Sequence, residues 1–210
     1  MILESFVVGM LQTNCYLLGD ETSKSCVVID PGGEAKRIAR TITAKGLKLE
    51  AILLTHGHFD HVLDAWTLKD MCGGLIYIHP ADKPLLKDRM VGLGALLMGK
   101  ITGLKGQVDG ELREGDIVRC GKISMNVLET PGHTPGHVSF FLPDYNIVFV
   151  GDTLFAGSIG RTDFPGGSYE QLIESVRTKI FPLGDDVVVY PGHGPKTTVG
   201  RERMTNPFFF

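Results

Sequence analysis

The sequence lacks the marks of a membrane-spanning, secreted or nucleic-acid-binding protein. No apolar run approaches the roughly 18–20 residues that a membrane-spanning helix needs, and Met1–Phe6 has no basic region of the kind that opens a signal peptide. The 21 basic and 24 acidic residues give a formal charge of −3, which supplies no positive field for a phosphate backbone. We therefore expect a cytoplasmic protein that binds neither nucleic acid nor membrane. Its oligomeric state stays open.

Cysteine is scarce, and its spacing is not that of a zinc ribbon or a redox motif. The four cysteines are far apart, form no Cys-x-x-Cys pair and mostly stand in apolar, strand-like surroundings: Cys15, Cys26, Cys72 and Cys120. We expect them to be reduced and mostly buried.

No linker and no low-complexity tract interrupts the 210 residues, a length that favours one domain over residues 1–210. Helices are predicted at Glu34–Lys45, Asp60 to about Met71, Tyr169–Lys179 and near Val199–Met204. Strands are predicted at Ser5–Val8, Asn14–Leu18, Cys26–Ile29, Ala51–Leu54, Leu75–Ile78, Ile117–Arg119, Ile123–Leu128, Val138–Leu142, Ile147–Val150 and Val187–Tyr190. Helices follow strands in both halves, which predicts an α+β fold of two sheets packed face to face between outer helices. The glycine-rich segment Val91–Gly106 favours a mobile loop or a broken helix.

The strongest chemical signal is a His-x-His-x-Asp-His motif that directly follows the apolar run Ala51–Leu54. In an extended loop, His56 and His58 point the same way, while Asp60 and His61 begin the next helix and turn toward a second point. Imidazole and carboxylate groups are metal ligands, so the spacing predicts two adjacent metal positions. The alternative is that Asp60 merely caps the helix and the histidines are surface groups.

Three more candidate ligands each follow an apolar strand and a glycine-containing turn: His133, Asp152 and His193. Glycine lets a metal approach the backbone closely, which explains why glycine would stand in these turns. We expect His137 to be a buried, hydrogen-bonded histidine that supports the ligands. His79, which precedes a proline at a strand end, is interpreted as a turn residue.

Several segments resemble known families. Four resemble, in order and over nearly the whole chain, the metal motifs of the metallo-β-lactamase fold hydrolases: Thr55–His61 (THGHFDH), Thr130–Gly136 (TPGHTPG), Gly151–Thr153 (GDT) and Gly192–His193 (GH). Three others are similar to the short bacterial glyoxalase II-like proteins: Gly160–Phe164 (GRTDF), Tyr190–Pro195 (YPGHGP) and Thr197–Asn206 (TTVGRERMTN).

The resemblance implies a four-layer αββα sandwich, the metallo-β-lactamase fold, and hydrolysis of hydroxyacylglutathione thioesters such as S-D-lactoylglutathione. It implies two divalent ions per chain, with zinc, iron and manganese all compatible with the ligand types. The first ion falls to His56, His58 and His133, and the second to Asp60, His61 and His193, with Asp152 bridging. Asp60 and Asp152 are then the catalytic carboxylates, beside a hydroxide that bridges the two metals and attacks the substrate.

Leaving-group chemistry favours a thioester, because a thiolate with a free pKa near 8.5 departs without being protonated first. Classical glyoxalase II carries basic contacts to the glutathione carboxylates in an additional C-terminal helical region that this sequence does not contain. Another low-molecular-weight thiol is therefore also compatible. Arg161 is a candidate contact to a substrate carboxylate, and a salt bridge to Asp163 or to the neighbourhood of Asp152 is its alternative role.

Two other classes of function compete with the thioester hydrolase. Persulfide dioxygenases resemble this chain at GRTDF and use one iron, held by two histidines and an aspartate, to activate oxygen. The last histidine motif reads differently in that family, which disfavours this alternative. A metal-binding or regulatory domain without activity is disfavoured further, since every ligand position is filled.

Overall fold

The computed structural model describes residues 1–87 and 107–210, so the predicted loop at 91–106 lies outside the described residues. The chain divides into two compact units. Unit 1 comprises Met1–Glu111 and Arg119–Ile123, and unit 2 comprises Leu112–Val118 and Ser124–Phe210. The expectation of one domain over residues 1–210 stays a prediction. No helix among the described residues is long and apolar enough to cross a membrane.

Unit 1 is built on a six-stranded sheet whose strands follow one another in chain order. The strands are β1 (Ile2–Val8), β2 (Thr13–Gly19), β3 (Ser25–Ile29), β4 (Lys48–Leu53), β5 (Leu75–Ile78) and β6 (Gly110–Glu111). Pairing is antiparallel from β1 to β3 and parallel from β3 to β6. Parallel neighbours need crossover connections, which here contain the helices α1 (Ala35–Ala44), α2 (Phe59–Val62) and α3 (Ala65–Cys72). The carboxyl ends of β3 and β4 consequently meet at one edge of the sheet.

The helices of unit 1 follow the apolar pattern of the sequence with one correction. Helix α1 buries Ala35, Ile38, Ala39 and Ile42, which recur at helical spacing, in the core of this unit. The single helix predicted from Asp60 to about Met71 is wrong, because two helices occupy this segment. Asp64 separates them: its carboxylate accepts the N–H of Ala35 at 2.9 Å, and its own N–H donates to the carbonyl of Pro31 at 3.0 Å.

A second six-stranded sheet has the order β14-β13-β10-β9-β8-β7, and all of its residues belong to unit 2 except those at 119, 120 and 123. Its strands are β7 (Ile117–Cys120), β8 (Ile123–Glu129), β9 (Val138–Leu142), β10 (Ile147–Gly151), β13 (Val188–Pro191) and β14 (Thr197–Thr198). A separate hairpin pairs β11 (Leu154–Phe155) with β12 (Ser158–Ile159). The helices are α4 (Tyr169–Ser175), which continues as a π-helical turn through Val176–Ile180, and α5 (Val199–Thr205). Because β10 and β13 are parallel, their carboxyl ends lie side by side, with Gly151 opposite Pro191.

All ten predicted strands are confirmed, with ends that differ by up to three residues. The four strands that sequence reasoning missed have two residues each: β6, β11, β12 and β14. A two-residue strand is too short to show an alternating pattern, so hydrophobic periodicity contains no signal for it.

Candidate metal-binding clusters

The His-x-His-x-Asp-His motif occupies the exit of β4 and the start of α2 in unit 1. His58 is extended (φ −69°, ψ 144°) and stands at the N-cap of α2, where no side chain caps the helix. The alternative in which Asp60 merely caps this helix is therefore wrong. Asp60 instead accepts the hydroxyl of Thr13 at 3.0 Å, and its Oδ2 lies 3.5 Å from His61 Nε2.

Asp30, at the end of β3, fixes the orientation of two of these histidine rings. Its Oδ2 accepts the hydroxyl of Thr55 at 2.6 Å and His61 Nδ1–H at 2.9 Å. Because the Thr55 hydroxyl donates to Asp30, its oxygen accepts Nδ1–H of His56, 3.0 Å away. In the neutral rings, Nε2 of His56 and His61 then carries the lone pair that a metal requires.

Asp30 is a residue that sequence reasoning missed, because Asp30-Pro31-Gly32-Gly33 reads as an ordinary turn signal. The usable signal was its position at the end of a strand parallel to β4. Asp30 also has a positive φ of 51°, which few residues other than glycine adopt. The Asp30 carboxylate accepts three hydrogen bonds in this cluster. Besides the Thr55 hydroxyl and His61 Nδ1–H, it accepts the backbone N–H of Thr55 at 2.8 Å.

Close backbone contacts fix the loop between β4 and α2 and the start of α2. A Cβ on Gly32 would lie 1.4 Å from the carbonyl oxygen of Asp60, so only glycine fits there. The N–H of Gly57, between His56 and His58, donates to the carboxylate of the buried Asp82 at 2.9 Å. Asp82 is a second supporting residue that the sequence did not reveal.

Unit 2 gathers the other three predicted ligands around one carboxylate oxygen. Asp152 follows β10 and His193 follows β13, so the parallel pairing of these strands explains why they are neighbours. The Nε2 atoms of His133 and His193 each lie 3.6 Å from Oδ2 of Asp152. His133 donates its Nδ1–H to the carbonyl oxygen of Arg161 at 2.7 Å, which leaves Nε2 of the neutral ring with the lone pair that a metal requires.

His137 is fully buried and has both ring nitrogens in hydrogen bonds. Its Nε2 accepts the backbone N–H of Asp152 at 3.1 Å. Its Nδ1 lies 3.0 Å from the hydroxyl of Thr130 and 3.1 Å from that of Thr153. This arrangement anchors the backbone of Asp152, and a supporting role for His137 stays a prediction.

Arg161 lies at the surface and pairs with Asp163 through two contacts of 2.9 and 2.8 Å. The same guanidinium lies 4.1 Å from the ring centre of Phe164. Pairing with Arg161 lowers the pKa of Asp163 to about 2. The salt bridge considered for Arg161 is thus present, and a contact with substrate stays a prediction.

The remaining groups singled out in the sequence are structural. His79 accepts the N–H of Ala81 at 3.2 Å, as expected of a turn residue. All four cysteines are free thiols; Cys72 is half-buried and the others are buried. Burial raises the pKa of Cys26 to about 12 and that of Cys120 to about 11. These thiols are therefore protonated near neutral pH and poor nucleophiles.

The donor sets fit divalent ions. An ion with metal–nitrogen bonds of roughly 2.0–2.1 Å in tetrahedral geometry keeps its ligand nitrogens about 3.3 Å apart. His56 Nε2 and His58 Nδ1 lie 3.1 Å apart, which suits two ligands of one ion. The described residues thus contain His/Asp clusters that are able to bind metal. Within unit 1, Asp30, His56 and His61 bring three candidate ligand atoms within 4.8 Å of one another.

Comparison with known proteins defines the class. Residues 8–193 match the family described as the Metallo-beta-lactamase superfamily. Hydroxyacylglutathione hydrolase GloC of Haemophilus influenzae is 41% identical over 99% of this chain and 98% of its own. The human mitochondrial persulfide dioxygenase ETHE1 is 35% identical over 93% of this chain and 70% of its own.

Two solved structures agree with this class. The BLEG-1 B3 metallo-beta-lactamase superimposes with a TM-score of 0.91 at 36% identity, over 99% of both chains. The di-iron-bound form of TTHA1623 superimposes with a TM-score of 0.85 at 41% identity, over 98% of this chain and 99% of that one. The chain belongs to the metallo-β-lactamase superfamily, whose members are typically hydrolytic metalloenzymes. The predicted metallo-β-lactamase fold is confirmed.

Proposed function

We propose that this protein is a metal-dependent thioester hydrolase of the glyoxalase II type. Its substrate is S-D-lactoylglutathione or a similar hydroxyacyl thioester, and it uses two divalent ions per chain. The first ion is assigned to His56, His58 and His133, and the second to Asp60, His61 and His193, with Asp152 as the bridge. Zinc, iron and manganese all suit these ligand types.

The observation that carries this proposal is that one carboxylate oxygen of Asp152 lies 3.6 Å from the Nε2 atoms of both His133 and His193. An oxygen in that position suits a carboxylate shared by two ions, one beside His133 and one beside His193. The di-iron form of TTHA1623, 41% identical to this chain, supports the count of two. The full-length similarity to a hydroxyacylglutathione hydrolase supports the substrate class.

Bound divalent ions would supply a water of lowered pKa as the nucleophile and a Lewis acid for the thioester carbonyl. The protein's contribution is to fix the donors beforehand. Asp30 and the carbonyl of Arg161 hold the Nδ1 protons of His61 and His133, so that Nε2 of each ring is presented as a ligand. His137 holds the backbone of Asp152.

Hydrolysis forms a carbon–oxygen bond, breaks the carbon–sulfur bond and releases a hydroxy acid and a thiol. The thiolate, with a free pKa near 8.5, leaves without a general acid. An amide would expel a far more basic nitrogen. We further propose that Arg161, whose own carbonyl holds His133, contacts a carboxylate of the substrate in competition with Asp163.

A panel of three substrates tests the proposal. The metal-loaded protein is assayed for thiol release from S-D-lactoylglutathione, oxygen consumption with glutathione persulfide, and opening of a β-lactam. We expect thioester hydrolysis to exceed both other reactions by orders of magnitude in kcat/KM. Asp152→Ala should abolish it, whereas Asp144→Ala, at an exposed aspartate of the same unit, should leave it unchanged.

The persulfide dioxygenase stays the alternative, favoured by the 35% identity to human ETHE1. Oxygen consumption with persulfide that exceeds thioester hydrolysis would replace the proposal with this alternative. A β-lactam opened as fast as the thioester would contradict the leaving-group argument. If the metal-loaded protein has none of the three activities, the proposal is wrong.

A further inference from the structure

The Thr197–Asn206 segment (TTVGRERMTN) has no role in the proposed reaction, yet it contains a completely buried carboxylate. Glu202, on helix α5, is 0% exposed. It accepts three hydrogen bonds: from the hydroxyl of Thr197 at 2.5 Å, from the N–H of Gly157 at 2.8 Å and from Nδ2 of Asn206 at 2.9 Å. Burying a carboxylate is costly unless its oxygens are hydrogen-bonded. The role of this carboxylate therefore lies in the groups that it binds.

Glu202 and Asn206 together hold the turn of the β11–β12 hairpin. Glu202 binds the N–H of Gly157, which has a positive φ of 73° at the tip of this hairpin. Asn206 uses Nδ2 to bind the carbonyl oxygens of Ser158 at 3.0 Å and Phe155 at 3.4 Å. The backbone N–H and carbonyl groups of this turn are thus hydrogen-bonded by Glu202 and Asn206, which are four residues apart.

The hairpin and the two residues that follow it, Gly160 and Arg161, lie against the three candidate ligands of unit 2. It begins two residues after Asp152 and ends just before Gly160, where a Cβ would lie 1.8 Å from the carbonyl oxygen of Asp152. The next residue, Arg161, accepts Nδ1–H of His133. The ring of Phe155 meets His193 edge to face, with ring centres 6.2 Å apart.

We infer that Glu202, with Asn206, is a positioning residue for the metal ligands of unit 2. By holding the hairpin, Glu202 positions three groups: the Arg161 carbonyl that binds His133, the backbone of Gly160 against Asp152, and the Phe155 ring beside His193. This inference rests on the proposed metal centre. Loss of a group that orients metal ligands typically weakens metal binding by about 10–100-fold.

Zinc affinity, measured by competition with a chromophoric chelator, tests the inference. Glu202→Ala should weaken zinc binding by about 10–100-fold. Glu202→Gln should bind within a few-fold of the wild type, because its amide oxygen still accepts from Gly157 and Asn206. Its amide nitrogen can donate to Thr197, whose hydroxyl can also accept. Asn206→Ala gives a second route to the same loss if Glu202→Ala does not fold.

The matched control is Val199→Ala, which removes packing from the same helix and from the core cluster that includes Leu154 and Ile159 of the hairpin, but leaves the hydrogen-bonding groups of Glu202 and Asn206 in place. If Val199→Ala lowers the melting temperature as much as Glu202→Ala and also weakens zinc binding as much, Glu202 is merely structural and the inference is wrong. Unchanged affinity in both Glu202→Ala and Asn206→Ala would overturn it equally.

A second readout needs no metal and separates this inference from the proposed function. In the ¹⁵N-labelled apo-protein, the Nδ1–H proton of His133 should give a protected, downfield resonance because it bonds to the Arg161 carbonyl. We expect that resonance to be lost in Glu202→Ala and kept in Glu202→Gln and Val199→Ala. If wild-type protein binds no zinc, the proposed function fails, while the resonance still decides whether Glu202 holds His133. A resonance that persists in Glu202→Ala would contradict the inference.

Discussion

At the scale of single residues, the candidate site depends on positions where a side chain has no room. Gly160→Ala would place a Cβ 1.8 Å from the carbonyl oxygen of Asp152, so the backbone of that ligand must shift. A displacement of about 1 Å costs roughly 10²-fold in rate, and we expect kcat/KM on the thioester to fall by about that factor. The measurement is steady-state kinetics on metal-loaded protein.

Gly46→Ala is the control for this substitution. Gly46 has a positive φ of 62° and open space around it, so alanine there strains the backbone without displacing a neighbour. It should lower stability by about 1 kcal/mol and leave kcat/KM unchanged. Equal losses of activity in the two variants would mean that a general loss of stability, and not the contact with Asp152, explains the effect.

His137 and Asp152 have different roles in the proposal, and alanine variants distinguish them. Asp152→Ala removes the shared carboxylate and should abolish turnover and weaken both metal positions. His137→Ala removes the acceptor of the Asp152 N–H and should cost about 10–100-fold in metal affinity. Elemental analysis after dialysis, with kinetics, measures both effects. Comparable losses in the two variants would show that His137 has been assigned to the wrong role.

The sequence predicted the seven candidate ligands because each belongs to a short motif that is complete within seven residues. It did not predict Asp30, Asp82 or Glu202, which support those motifs from 25 or more residues away. An aspartate in a turn and a glutamate in a helix look ordinary in sequence. Their roles depend on strand order and helix placement, which local patterns do not contain.

At the scale of elements, the turn that follows β2 is held by Asp20. Its carboxylate accepts the backbone N–H groups of Thr22, Lys122 and Ser23, and these bonds lower its pKa from 3.8 to about 2. A carboxyl group whose pKa is depressed in the folded state stabilises the protein above its unfolded pKa. That stabilisation is lost as the pH falls toward about 2.

We therefore expect Asp20→Asn to be less stable than the wild type at pH 7 and to approach it near pH 2.5. Urea unfolding of both proteins at a series of pH values measures the difference. A stability difference that is the same at pH 7 and pH 2.5 would show that the charge of Asp20 contributes nothing.

Residues 160–164 follow the β11–β12 hairpin and contain the exposed Arg161–Asp163 pair. The Arg161 side chain is 63% exposed, so a contact with a substrate carboxylate is screened by water and weak. Arg161→Ala should raise KM for S-D-lactoylglutathione up to about fivefold, with little change in kcat. Asp163→Ala frees the guanidinium and should lower KM.

A thioester without the glutathione carboxylates is the control for Arg161. Its KM should not respond to Arg161→Ala if the guanidinium binds the substrate. If both thioesters are impaired alike and the melting temperature falls, Arg161 belongs to the structure of the segment and not to substrate binding.

The elements themselves were predictable to the extent that packing follows sequence periodicity. Helix α1 was found because its buried residues recur at helical spacing. The longer strands were found because they are either continuous apolar runs, as in β10, or alternating patterns, as in β8. The break between α2 and α3 was not, because it is made by tertiary bonds of Asp64 to Pro31 and Ala35. An apolar pattern that continues through such a break predicts one long helix.

At the scale of the whole molecule, we propose that the ligands of both units serve one catalytic centre with two ions. In each unit, parallel strand pairing places candidate ligands or the residues that hold them side by side at the carboxyl ends of strands. The chain is similar over nearly its full length to a hydroxyacylglutathione hydrolase and to a protein solved in a di-iron-bound form. These similarities support the proposed substrate class and the proposed number of ions.

Titration of the metal-free protein with zinc, iron(II) or manganese tests this claim most directly, with thiol release from S-D-lactoylglutathione recorded at each addition. The account predicts that hydrolysis rises with added metal and reaches its plateau at two equivalents per chain, with elemental analysis giving the same stoichiometry. A plateau at one equivalent would contradict the binuclear centre. The absence of thioester hydrolysis at every metal content would contradict the proposed function itself.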